Sequence, residues 1–141
     1  MNAIARVAPL AGRVLLSLIF LFSGAGKVMN WSDTAGFMAA KGMPAVPLFL
    51  FLAIVFELGG GLSVLTGYQA RIGAFALFLY LIPTTLIFHN FWAVAGAQHQ
   101  MQLVNFMKNL AIMGGLLTLA AHRPGPLSLG GVRDGGHQTT T

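Results

Sequence analysis

The chain has 141 residues, 56% of them hydrophobic and 8% charged, with a mean hydropathy of +0.77. Soluble domains carry about a quarter charged residues, so this composition is that of a membrane protein. The net charge of +5 does not indicate a nucleic-acid binder, because the basic residues are scattered between apolar runs instead of gathered on one face. Cysteine is absent, which excludes disulfides, iron–sulfur ligation and cysteine-ligated zinc within the chain.

Pro9 suits the first turn of a helix, and Pro9–Gly26 gives about 18 residues, near the minimum for a span. Arg13, Ser17, Phe20, Gly24 and Lys27 fall on one helical face. That stripe is polar and small, with a cation towards each end. Upstream positive charge, a short apolar core and the segment SGAG also fit a secretory signal peptide. The placement of Arg13 and Lys27 on one stripe favours a retained helix. In the connection 29–47, Ser32 or Asp33 can cap a short helix through about Ala40, with Gly42 and Pro44 as stop signals. Trp31, Phe37 and Met38 suit a segment lying in the membrane interface.

The second span, 47–65, carries Glu57 near its middle, with Ala53, Gly60, Gly61 and Val64 on the same face. Small residues mark close helix approach in a membrane, which turns the carboxylate towards protein. The third span, 72–88, contains Pro83, which removes a backbone donor, and His89 follows it. A polar, uncharged connection, AVAGAQHQMQ, leads to the fourth span, 103–121. There Asn105, Lys108 and Asn109 share a helix face, although a mid-membrane lysine costs roughly 2.5–3.5 kcal/mol. From 122 to 141 the composition predicts a mobile tail. The predicted fold is therefore all-α: one antiparallel four-helix bundle, integral to the membrane, over residues 1–121. The excess of arginine at the end holding both termini predicts that both are cytoplasmic.

Depths follow from about 1.5 Å per residue. Glu57 lies about 15 Å below its surface, Lys108 about 8 Å below the same surface, and Arg13 about 6 Å from the opposite one. These depths predict that Glu57 pairs with Lys108 or Arg13, with Lys27 and His89 closing the outer end. One carboxylate among several cations leaves a positive excess, which favours an anion or a carbonyl-bearing molecule such as a quinone. Asn105, Asn109, Thr84 and Tyr80 can add hydrogen bonds. The structural alternative is an ion pair that fixes helix register and binds nothing. No metal site is predicted. His89 and His122 fall at opposite surfaces, while His99 and His137 lie in connections.

Three segments resemble the DoxX family: RVLLSLIFLFSGAGKV at Arg13–Val28, VFELGGGLSVLTG around Glu57, and FHNFW with NFMKNLAIMGGLL at Phe88–Trp92 and Asn105–Leu117. The resemblance covers nearly the whole chain apart from the tail. It implies a small bacterial inner-membrane protein with four transmembrane helices and a loose association with redox chemistry. Relatives include a subunit of a thiosulfate:quinone oxidoreductase and membrane components of oxidative-stress complexes. The family-like polar positions are Arg13, Lys27, Glu57, His89, Lys108 and Asn109. The resulting expectation is a quinone- or small-anion-binding subunit beside a peripheral redox partner, with homo-oligomerisation open. Two rivals are a non-catalytic anchor for a peripheral enzyme and a small solute transporter. The oily stretch Ile112–Ala121 speaks against the transporter.

Overall fold

The computed structural model of the protein describes residues 1–130. Five α-helices follow in order: α1 (Ala3–Met29), α2 (Trp31–Ala40), α3 (Val46–Thr66), α4 (Ala70–Phe88) and α5 (Ala97–Ala121), with a 3-10 turn at Phe91–Ala93. No strand occurs among the described residues. Four helical stretches, those of α1, α3, α4 and α5, are long and apolar enough to cross a membrane. The observed architecture is the all-α membrane bundle that composition and periodicity predict.

Two boundaries move outward from their predicted positions. α1 begins at Ala3, where the Asn2 side chain accepts a hydrogen bond from the Ala5 N–H at 2.9 Å. Pro9 therefore sits inside the helix and not in its first turn. α5 begins at Ala97, taking in most of the polar segment read as a connection. Glutamine is a good helix former, and Gln98, Gln102, Asn105 and Asn109 continue one face at spacings of three and four.

The spans pack in a row, α1 on α3, α3 on α4 and α4 on α5, while α1 barely meets α5. Successive spans are antiparallel, so both ends of the described chain share one end of the bundle. α2 and the 3-10 turn occupy the other. Glycines bring the backbones together at the centre: a Cβ on Gly60 would stand 2.6 Å from Leu77 Cγ. A Cβ on Gly61 would stand 2.9 Å from Leu21 Cδ2. Phe20, Val64, Ala74, Leu77, Leu81 and Leu116 form the buried apolar layer.

Polar bonds fasten the edges. The Asn109 amide donates to Thr85 Oγ1 at 3.1 Å, joining α5 to α4. Arg71 Nε donates to the Ala120 carbonyl at 2.8 Å, near the end of α5. Residues 122–130 do not trail away as the predicted tail does. They fold back on the bundle, where the Leu129 N–H donates to the Thr66 carbonyl at 3.0 Å and Ser128 is buried. The rest of the predicted tail, 131–141, lies outside the described residues. α2 covers the opposite end: Phe37 stacks on Phe88 with ring centroids 5.6 Å apart, and Lys41 Nζ donates to Asn90 Oδ1 at 3.4 Å.

Candidate functional site

Side chains on a helix lean towards its N-terminus, and α1 and α3 run in opposite directions. Lys27 on α1 therefore leans inward from the α2 end, and Glu57 on α3 leans outward to meet it. Lys27 Nζ lies 3.0 Å from both Oε1 and Oε2 of Glu57. Ser23 Oγ donates to Oε1 at 3.1 Å and the Tyr80 hydroxyl donates to the same oxygen at 2.9 Å. Lys27 Nζ also donates to Ser23 Oγ at 2.7 Å, which commits all three of its N–H groups. Glu57 is 4% exposed. The charged form of this carboxylate is thus fully paired and hydrogen-bonded, the condition under which a buried ion is tolerated.

The predicted partners of Glu57 are corrected by this geometry. Lys108 sits on α5, whose N-terminus is at the α2 end, so its stem leans towards that surface. It donates to Asn105 Oδ1 at 3.3 Å and is exposed. Arg13 leans the other way, to the end holding the chain termini, and is 2% exposed. Its Nη1 donates to the carbonyls of Leu65 at 2.9 Å and Val64 at 3.4 Å, and its Nη2 donates to Leu127 O. Carbonyls at the C-terminal end of α3 carry the negative pole of the helix dipole. The guanidinium is therefore matched without a carboxylate, although its Nε has no partner.

Above the ion pair lies a cavity of about 1140 Å³, bounded by all five helices. Ligand pockets commonly run to about 300–1,000 Å³, so the space suits a sizeable small molecule. Five of the predicted site residues line it: Lys27, Glu57, His89, Lys108 and Asn109. Arg13 and Asn105 do not, the latter acting on Lys108 instead. Tyr80 and Thr84 also face the cavity, between walls that include Phe20, Leu52, Phe56 and Ile87. Phe37 and Met38 of α2 roof it, with Lys41 just beyond the helix. His89 Nδ1 lies 2.8 Å from Gln102 Oε1. With that nitrogen protonated, Nε2 remains as an acceptor.

Charge in the chamber is uneven. Glu57 is the one carboxylate among the lining residues and is matched by Lys27, which leaves Lys108 and Lys41 as cations without an acidic partner there. Lys108 keeps N–H groups beyond its bond to Asn105, and the Asn109 amide keeps one beyond its bond to Thr85. The site thus offers apolar walls, hydrogen-bond donors and excess positive charge. Among the described residues no group of three or more His, Cys, Asp or Glu could hold a metal ion. Two participants escape sequence reasoning. Ser23 carried a signal, lying four residues before Lys27 and so beside it on the helix. Gln102 was masked by reading the start of α5 as a loop.

The family model for DoxX matches residues 8–90, a stretch that holds Lys27, Glu57, Tyr80 and His89 but ends before Lys108. Inner membrane protein YqjF of Escherichia coli (strain K12) is 36% identical over 129 residues, covering 92% of this chain and 94% of the relative. Inner membrane protein YphA of the same organism is 32% identical over 120 residues, covering 85% and 86%. Both similarities therefore extend past the stretch matched by the family model. No solved structure matches the chain.

Proposed function

The chain belongs to the DoxX family of inner-membrane proteins, and on that premise we propose that it binds a quinone in the chamber beneath α2. One observation carries this reading: a largely apolar cavity of about 1140 Å³ whose polar lining includes a closed Lys27–Glu57 pair and, in Lys108 and Lys41, cations with no acidic partner there. Lys108 and Asn109 donate to the ring's carbonyl oxygens, and Tyr80 and His89 border the space around it. An ionised or partly reduced ring is favoured further by the excess positive charge. The chain supplies no cysteine and, among the described residues, no cluster of metal ligands. In this reading electron exchange belongs to a partner protein, with this chain as its membrane subunit. The arginines at the end shared by α1's start and α5's finish, Arg6, Arg71 and Arg123, favour a cytoplasmic position for that end.

Binding is preferred over solute passage because the buried layer of Phe20, Leu77, Leu81 and Leu116 separates the chamber from the Arg13 end. The test is a titration of purified protein in lipid nanodiscs with a benzoquinone analogue. Saturable binding that weakens tenfold or more in Lys108→Met is expected. Its absence in the unmodified protein defeats the reading, and leaves a scaffold in which Lys27–Glu57 fixes register alone.

A further inference from the structure

We infer that the chamber is entered sideways from the bilayer, through a gap between α1 and α5, by an amphiphile whose tail stays in that gap. This rests on the chamber being a ligand site and adds the class of ligand: a ring or other acceptor-bearing head on a long hydrocarbon or prenyl tail.

The two ends are covered, and the seam between α1 and α5 is the least packed side. α2 lies across the aqueous end, pinned by the Phe37–Phe88 stack and the Lys41–Asn90 bond. The opposite end is closed by the apolar core layer. On the sides, α3 packs on both α1 and α4, and α4 on α5; across the α3–α4 seam Phe56 stacks on Tyr80, although Leu52, Phe56 and Leu79 there border the cavity and are exposed. α1 and α5 differ: they meet where Leu16 packs against Gly115, a Cβ there lying 3.2 Å from Leu16 Cδ2, and have little other contact.

Above that contact both helices turn residues into the cavity, Ile19 and Ser23 from α1, Ile112 and Lys108 from α5. Ser23 and Lys108 each stand seven residues from the contact, about 10 Å along antiparallel helices. They are therefore level with one another. Lys108 borders the cavity and is exposed, which places its ammonium at the rim of the gap, opposite the Glu57 cluster. The bond to Asn105 leaves N–H groups of this ammonium unspent. A head group lodged between Lys108 and the ion pair takes them up, and its tail then leaves past Ile19 and Ile112 into lipid.

The absence of cysteine gives a clean background for the test. In an Ile19→Cys/Ile112→Cys protein the gap is bridged with a reducible bifunctional methanethiosulfonate. A decyl-tailed benzoquinone and the same ring without its tail are titrated before bridging, after it, and after reduction. The expected result is a tenfold or greater loss of affinity for the tailed compound on bridging, recovered on reduction, with the tailless ring unaffected. Unchanged affinity for the tailed compound in the bridged protein overturns the lateral route and leaves the chamber standing. Failure of both compounds to bind the unmodified protein overturns the chamber and the route together. A second measurement needs no substitution: a tail-end diazirine on the decyl compound should label residues of α1 and α5 at the gap. Labelling of Phe37 and Met38 in α2 overturns the route.

Discussion

Lys27 reaches inward along α1 while Glu57 reaches outward along α3, and the two close at 3.0 Å although their positions on the chain are 30 residues apart. Removing the cation alone leaves a carboxylate that is 4% exposed without its counter-charge. Breaking a buried pair from one side costs about 3–5 kcal/mol. Lys27→Met is therefore expected to lower thermal stability in detergent sharply, and Lys27→Met/Glu57→Gln to recover most of the loss. Lys108→Met, which touches Asn105 and not Glu57, should shift stability by less than about 0.5 kcal/mol. A Lys108→Met protein as unstable as Lys27→Met would contradict the pairing.

Arg13 ties three carbonyls from two distant segments, those of Val64, Leu65 and Leu127. A lysine has one ammonium point and no planar fork, so it cannot span them. Arg13→Lys and Arg13→Met should both destabilise, by about 1–3 kcal/mol for each buried carbonyl left unsatisfied. The distinguishing readout is hydrogen exchange. The Leu129 amide, bonded to the Thr66 carbonyl, should lose protection in both variants, while amides in the middle of α4 keep theirs.

Adjacent glycines on α3 should respond in opposite ways. A methyl at Gly60 collides with Leu77, whereas one at Gly59 meets nothing within 4 Å. Gly60→Ala overpacks the α3–α4 contact and should cost about 1–3 kcal/mol. Gly59→Ala should be neutral or stabilising, because alanine is the better helix former by about 1 kcal/mol. Equal melting temperatures for the two variants would show that the close approach at Gly60 carries no energetic weight.

The Asn109–Thr85 bond joins α5 to α4 at a buried position. Interhelical hydrogen bonds measured in membranes average about 0.6 kcal/mol and reach about 1.7. A double-mutant cycle of Thr85→Val and Asn109→Leu should return a coupling within that range. A coupling of zero would mean that α5 is held by apolar packing, the Arg71 cap and the polar contacts at its start, such as His89–Gln102.

Much of this fold was legible because membrane helices announce themselves by length and hydropathy. The buried face of α1, Arg13–Ser17–Phe20–Gly24, is the stripe that period 3.6 picks out, and the face of Glu57 was read the same way. The choice of partner for Glu57 was not legible from depth alone. A rise of about 1.5 Å per residue locates Cα atoms, but a lysine stem reaches several ångströms further in a direction set by helix polarity. Reckoned by Cα height, Lys27 belongs at the surface and Lys108 within the membrane. Helix direction brings the first inward and carries the second out. The α2 roof and the weak α1–α5 contact are tertiary facts that no local pattern encodes.

The clamp at Arg13 also sets an order of assembly. Its acceptors on α3 lie 51 and 52 residues downstream and the last, on Leu127, 114 residues downstream. At about 5–20 residues per second, the ribosome delivers α1 to the bilayer several seconds before α3 can receive the guanidinium, and longer still before the final carbonyl arrives. During that wait the arginine must stay at the headgroups of its own leaflet, holding α1 shallow. Assembly thereby waits on Leu127, translated after all four spans, whose carbonyl latches the first helix in place.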